Sequence, residues 1–183
     1  MALLHTPTIE DHFTAPDFAL KNIDGTILSF DDIKGENGTV IAFICNHCPY
    51  VKAIISRFVD DAKILQKKGI GVVAIMPNDT DNYPEDSFEN MVKFSKQNGF
   101  IFPYLIDENQ DVAKAYDAIC TPDIFGFNAN GELQYRGRLD SAGPKEADDN
   151  TVKELVNAMS EIAETGTTNA DQFSSMGCSI KWK

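Results

Sequence analysis

The chain has 183 residues, 43% of them hydrophobic, and a formal net charge of −12 from 28 acidic and 16 basic side chains. That length suffices for one domain with a sizeable core, and the acidic excess argues against a non-specific nucleic-acid binder or a protein adhering to anionic membranes. No apolar run approaches the roughly 20 residues of a membrane-spanning helix. Residues 1–7 lack the basic start and apolar stretch of a secretory signal, so the expected compartment is the cytoplasm, where a Cys-x-x-Cys is catalytic or metal-binding rather than structural.

In chain order, residues 17–20 and 26–30 flank Asp24-Gly25, a hairpin signal. A turn at Gly35-Glu36-Asn37-Gly38 precedes a buried strand over residues 39–44. Val51, Ile54, Ile55, Phe58, Val59, Ala62 and Leu65 recur at helical spacing and predict an amphipathic helix over residues 49–67. Pro49 is tolerated in its first turn, and Gly69 ends it. Residues 70–76 are continuously apolar, as in an inner strand of a parallel sheet.

Pro84, followed by Glu85 and Asp86, predicts another helix with a stripe of Phe88, Met91, Val92 and Ser95, ended before Gly99. Residues 104–106 read as a short strand, and Val112, Ala113 and Tyr116 mark a short helix. Residues 124–127 and 133–138 flank Asn128-Ala129-Asn130-Gly131 as a second hairpin. Thr151-x-x-Glu154 reads as a capping box for a last helix, with the stripe Val152, Leu155, Val156, Met159 and Ile162. Residues 167–183 have no clear period and form a tail, which Ile180 and Trp182 suggest is docked on the body.

With no repeats and no linker, residues 1–183 read as one α/β domain. The alternation predicts a central mixed sheet, largely parallel, flanked by helices on both faces, with an N-terminal β-hairpin extension and the C-terminal tail.

The chemistry concentrates at Cys45-Asn46-His47-Cys48, where a strand ends and a helix begins. Thiol–disulfide exchange needs a thiolate and a second thiol to resolve the mixed disulfide. A helix N-terminus and His47 both favour a thiolate. Four cysteines and His47 could instead hold zinc or an iron–sulfur cluster, but a second close cysteine pair is missing, so no metal is expected.

Strand, Cys-x-x-Cys, helix, a later Thr121-Pro122, a β-hairpin and a final helix resemble the thioredoxin fold. The lead Ala15-Pro16-Asp17-Phe18 with Asp24-Gly25 resembles the redoxin branch (alkyl hydroperoxide reductase/thiol-specific antioxidant-like), which also holds the peroxiredoxins. Residues 45–51 (CNHCPYV), 83–88 (YPEDSF), 135–138 (YRGR) and 177–183 (GCSIKWK) resemble a group of bacterial thioredoxin-like proteins. The resemblance implies a thiol–disulfide oxidoreductase without a bound cofactor. Its partners would be a disulfide-containing protein, a small-molecule disulfide or a peroxide, with a thiol as reductant. It also implies Cys45 as nucleophile, Cys48 as resolving thiol and His47 as modulator. A cis Pro122 would face them, with Thr121 offering its backbone to a bound chain.

Register keeps the order of the sulfurs open. Only Ile44 separates Phe43 from Cys45, where thioredoxins have a longer spacer. Aligning on Phe43 puts Cys48 at the nucleophile's place, as does the Thr-x-x-Cys of peroxiredoxins, with Cys45 on the threonine. Pro49 would make Cys48 the helix cap. Cys120 and Cys178 are additional redox candidates, Cys178 as a resolving thiol or a partner of Cys120. Two alternatives stand beside the main reading: a peroxiredoxin-like antioxidant peroxidase, and a non-enzymatic redox-sensing or metal-binding module. Asp79, Asp81, Glu85 and Asp86 read as solvated loop charges, Arg136 and Arg138 as edge-strand charges, and His5 and His12 as surface residues of a mobile lead.

Overall fold

The computed structural model describes residues 2–7 and 13–183, so His12 lies outside the described residues. The elements in order are β1 (Leu3–His5), β2 (Ala19–Asn22), β3 (Ile27–Ser29), α1 (Phe30–Ile33), β4 (Thr39–Phe43), α2 (Pro49–Lys67) and β5 (Gly71–Met76). There follow α3 (Phe88–Asn98), β6 (Tyr104–Ile106), α4 (Asp111–Ala115), β7 (Cys120–Thr121), β8 (Asp123–Phe127), β9 (Leu133–Arg136), α5 (Glu154–Thr165) and β10 (Met176–Ser179). Among the described residues no helix is long and apolar enough to cross a membrane.

The main sheet has the strand order β3-β2-β6-β5-β4-β8-β9. Only the inner β6, β5 and β4 run parallel; the hairpins β2–β3 and β8–β9 fold back on themselves and make the flanks antiparallel. The sheet is therefore mixed but not largely parallel. Strand side chains alternate between faces, and here both faces are covered. Val40, Ala42 and Ile44 enter a core with α2, α3 and α5, whereas Ile41 and Phe43 enter a second core with α1, α4 and the Phe125–Phe127 face. That is why β4 and β5 read as unbroken apolar runs. This is the thioredoxin-like α/β fold that the resemblance implied.

The apolar stripe of α2 lies against the sheet as expected, from Val51 to Leu65. Each such side chain contributes about 1.5–3 kcal/mol through burial. Gly69, at φ +73°, turns the chain out of the helix in a conformation that other residues resist.

Several sequence expectations give way. Pro84 opens a separate 3-10 turn, Pro84–Asp86, and α3 starts at Phe88, capped by Ser87 Oγ. Phe94 rather than Val92 faces the core, and Val92 is exposed. Thr151 does not cap α5; its hydroxyl bonds Asp148, and Glu154 is drawn instead to Arg138. His5 lies in β1, paired to Met176, and not in a mobile lead.

The tail is also more ordered than its sequence suggested. β10 sits between β1 and β7 in a three-stranded antiparallel sheet. Beyond β10, Lys181 N donates to Asn78 Oδ1 (2.9 Å), and Lys181 O accepts from Asp79 N (2.8 Å) and Gln110 Nε2 (2.7 Å). These bonds moor the tail to the loop after β5 and to the start of α4.

Candidate active site

The carboxyl ends of β4 and β5 open onto the start of α2, where loops of an α/β sheet converge. Cys45 follows β4, and Cys48 is the N-cap of α2, with Pro49 at its first position. Both are buried, at 1% and 0% exposure. The Thr121–Pro122 bond facing them is cis, as the resemblance implied. Thr121 touches both sulfurs: Cys45 Sγ lies 3.3 Å from Thr121 Oγ1, and Cys48 Sγ lies 3.1 Å from Thr121 O.

The two thiols are electrostatically unlike. Cys48 is pulled well below the ordinary thiol range by the Cys45 thiol, which bonds it, and by the Val51 N–H and Cys178; burial opposes the shift. Cys45 is pushed up by that same bond to Cys48, then by burial and by the negative charge of Asp86. The carbonyl of Thr121 favours a protonated Cys48, but the donors around it and its helix-cap position outweigh one acceptor. A thiolate in this pair therefore sits on Cys48.

Like Asp79, which is also buried, Asp86 is a residue that sequence reasoning misplaced. It is fully buried, not a solvated loop charge. Its Oδ1 accepts from Asn46 N (2.8 Å), and its Oδ2 accepts from His47 Nδ1 (2.7 Å) and Asn78 Nδ2 (2.8 Å). An ionised carboxylate is an acceptor only, so His47 donates from Nδ1 in this contact. Its ring stacks over Tyr83, centroids 6.1 Å apart. Cys45, His47 and Asp86 place one ligand-type atom each within 4.8 Å of one another. All three are already tied to hydrogen-bond partners, so the trio reads first as a polar network. The signal for Asp86 was available: an acidic residue in the loop after a core strand lies at the same sheet end as the cysteines.

The other candidates divide. Cys178, on β10, has its Sγ 3.2 Å from Cys48 Sγ. Cys120 is next to the site but engaged with Pro122 O (3.5 Å), and burial drives its thiol far up. Arg136 lies on the edge strand β9 as expected, but not as an exposed charge: it is buried, pairs with Asp123 (Nη2 to Oδ2 2.9 Å) and lies over the Phe125 ring. Arg138 pairs with Glu154 (2.7 Å). Beside Pro122 a cavity of about 170 Å³ opens between His5, Tyr50, Ile54 and Met176.

Comparison with known proteins bears on the family and the fold. The family model described as AhpC/TSA family matches residues 13–136. The thiol–disulfide oxidoreductase ResA of Geobacillus thermodenitrificans is 28% identical over 121 residues, covering 66% of this chain and 65% of that protein, so the match spans less than two thirds of the relative. The crystal structure of an uncharacterized conserved protein from Geobacillus kaustophilus is 43% identical, with a TM-score of 0.93 over 100% of this chain and 97% of that one. A hypothetical protein from Sinorhizobium meliloti is 35% identical, with a TM-score of 0.91 and 98% coverage of each chain.

Proposed function

Because the chain belongs to the AhpC/TSA family, we propose that it is a thiol–disulfide oxidoreductase in which Cys48 attacks and Cys45 resolves. The observation that carries the reading is Cys48 at the N-cap of α2 with a second thiol bonded to it. The Cys48 thiolate attacks one sulfur of a substrate disulfide, on a protein or a small molecule, and expels the other as a thiolate. Cys45 then attacks Cys48 Sγ, releases the second substrate thiol and leaves a Cys45–Cys48 disulfide. The proton of Cys45 goes to the departing thiolate. An external thiol, as a reducing cytoplasm supplies, returns the pair to the dithiol. His47, fixed by Asp86, tunes the pair and touches no substrate in this scheme. Neither an organic cofactor nor a metal is required. The sequence resemblance favoured Cys45 as the nucleophile; the capping geometry favours Cys48.

Insulin reduction under dithiothreitol tests the reading. Cys48→Ser should abolish it, and Cys45→Ser should lower it, because the Cys45–Cys48 disulfide can no longer form. Full activity in both variants would sink the idea.

A peroxidase is the second reading, supported by the same family membership. Against it, Cys45 stands where a threonine would be expected, and both Arg136 and Arg138 are committed to carboxylates elsewhere. Peroxide consumption with a sulfenic acid trapped on Cys48 would favour it.

A further inference from the structure

The exchange scheme uses two sulfurs, but three are in contact. Cys178 Sγ lies 3.2 Å from Cys48 Sγ, although 130 residues of chain separate them. A disulfide bond is about 2.05 Å long, so side-chain movement of about an ångström would close it. The contact is held by architecture on every side. β10 sets Cys178 opposite Thr121 of β7 and opposite Leu3 of β1, which makes it part of a central strand. Beyond Cys178, the Lys181 backbone is bonded to Asn78, Asp79 and Gln110. Before it, Gly177 packs so closely on the cis-proline loop that a Cβ there would stand 2.3 Å from Thr121 O.

We propose that Cys178 is a third redox residue, the first thiol to resolve a mixed disulfide on Cys48, so that a Cys48–Cys178 disulfide precedes the Cys45–Cys48 disulfide. The inference rests on Cys48 being the attacking sulfur. It adds that the tail is part of the catalytic machinery.

The steps balance with a small disulfide, RSSR, as oxidant. The Cys48 thiolate forms Cys48–S–SR and expels RS⁻, which takes the proton of Cys178. The Cys178 thiolate attacks Cys48 Sγ, forms the Cys48–Cys178 bond and expels the second RS⁻, which takes the proton of Cys45. The Cys45 thiolate attacks Cys48 Sγ and expels Cys178 as a thiolate, which takes a proton from water. Two RSH leave, Cys45 and Cys48 are oxidised, and Cys178 is regenerated.

Local charge supports this order. Cys45 is kept protonated by its bond to Cys48, by burial and by the adjacent Asp86. Burial and the contact with Cys48 raise the Cys178 thiol too, to about 11, and Lys181 counters them only in part. The first resolving proton is therefore lost beside a cation and not beside an anion. Cys120 takes no part: its thiol faces Pro122 O and the Asp123 side.

The test is single-turnover oxidation of reduced protein by one equivalent of glutathione disulfide, quenched by alkylation and mapped by mass spectrometry. In Cys45→Ser the last step is blocked. Two glutathione thiols should be released per chain, and a Cys48–Cys178 disulfide should accumulate. In the Cys45→Ser, Cys178→Ser double variant only one thiol should be released, with glutathione held on Cys48. In Cys178→Ala alone, release of the second glutathione should slow at least tenfold. A Cys45→Ser protein that keeps glutathione on Cys48 beside a free Cys178 would overturn the third-thiol role and leave the Cys45–Cys48 reading standing. An unslowed second release in Cys178→Ala would do the same. A wild-type protein in which Cys48 never bonds glutathione would overturn both readings together.

Discussion

Asn78 donates from Nδ2 to Oδ2 of Asp86 at 2.8 Å. The same side chain accepts from Lys181 N through Oδ1, so one buried amide joins the carboxylate that holds His47 to the backbone of the tail. The redox loop and the strand that covers it are thereby parts of one polar network, and a change at either end should be felt at the other.

Asp86→Asn tests that network. The new amide oxygen can still accept from Asn46 N, but the NH₂ would take the place of Oδ2 and be set against two donors, Asn78 Nδ2 and His47 Nδ1. A buried polar group left without a partner costs about 1–3 kcal/mol. The expected result is a lower urea midpoint with an unchanged slope, together with faster hydrogen exchange at Lys181 N. An unchanged Lys181 amide would disconnect the network from the tail.

Gly177→Ala tests the seat of β10. A Cβ would meet Thr121 O at 2.3 Å, Thr121 C at 2.6 Å and Pro122 N at 3.0 Å, all of them backbone atoms that cannot swing aside. Overpacking of this kind costs about 1–3 kcal/mol. The strand should lift, and Cys178 should become reactive to a thiol reagent in native protein. A variant of wild-type stability with an unreactive Cys178 would contradict the close packing.

Much of the fold was legible because its signals are local. The α2 stripe and its Pro49 start, the β2–β3 and β8–β9 hairpins and the apolar runs of β4 and β5 each follow from spacing or turn residues within a short window. What escaped depends on partners far along the chain. The burial of Asp86 is set by Asn78 and by the Cys45–Cys48 turn. The strand at Met176–Ser179 exists because β1 and β7 flank it. Arg136 is buried because Asp123 and Phe125 wait beneath it. Thr151 lost its capping role because Arg138 claimed Glu154. The site was half readable: the cysteine pair and the proline from sequence, the third sulfur's contact only from the fold.

Cys48 ionisation can be followed by ultraviolet thiolate absorbance in reduced protein. The folded pKa is depressed, so a thiolate should persist below the ordinary thiol range of about 8.5. The stability it lends is fully present above the unfolded value and is lost as pH falls through the folded value. Cys178→Ala removes one donor and should move the titration upward. A midpoint that stays put would show that Cys178 does not stabilise the thiolate.

Arg136→Met isolates the buried pair with Asp123. Burial raises the Asp123 carboxyl, and Arg136 opposes that rise. Removing one partner of a buried pair costs about 3–5 kcal/mol. A carboxyl raised in the folded state holds its proton more tightly there than when unfolded. The deficit against wild type should therefore be small below the unfolded carboxyl value and grow as pH rises through the folded value. Urea midpoints of both proteins across the acid range check the sign; a deficit that shrinks toward neutral pH would be inconsistent with it.

All four sulfurs are buried, Cys178 included. None of them lines the cavity beside Pro122, so a substrate meets them only when the surrounding structure opens. Turnover then has a clock set by local opening rather than by sulfur chemistry. Slowing that opening would slow every reaction at the site by a common factor, whatever the acidity of the thiol beneath.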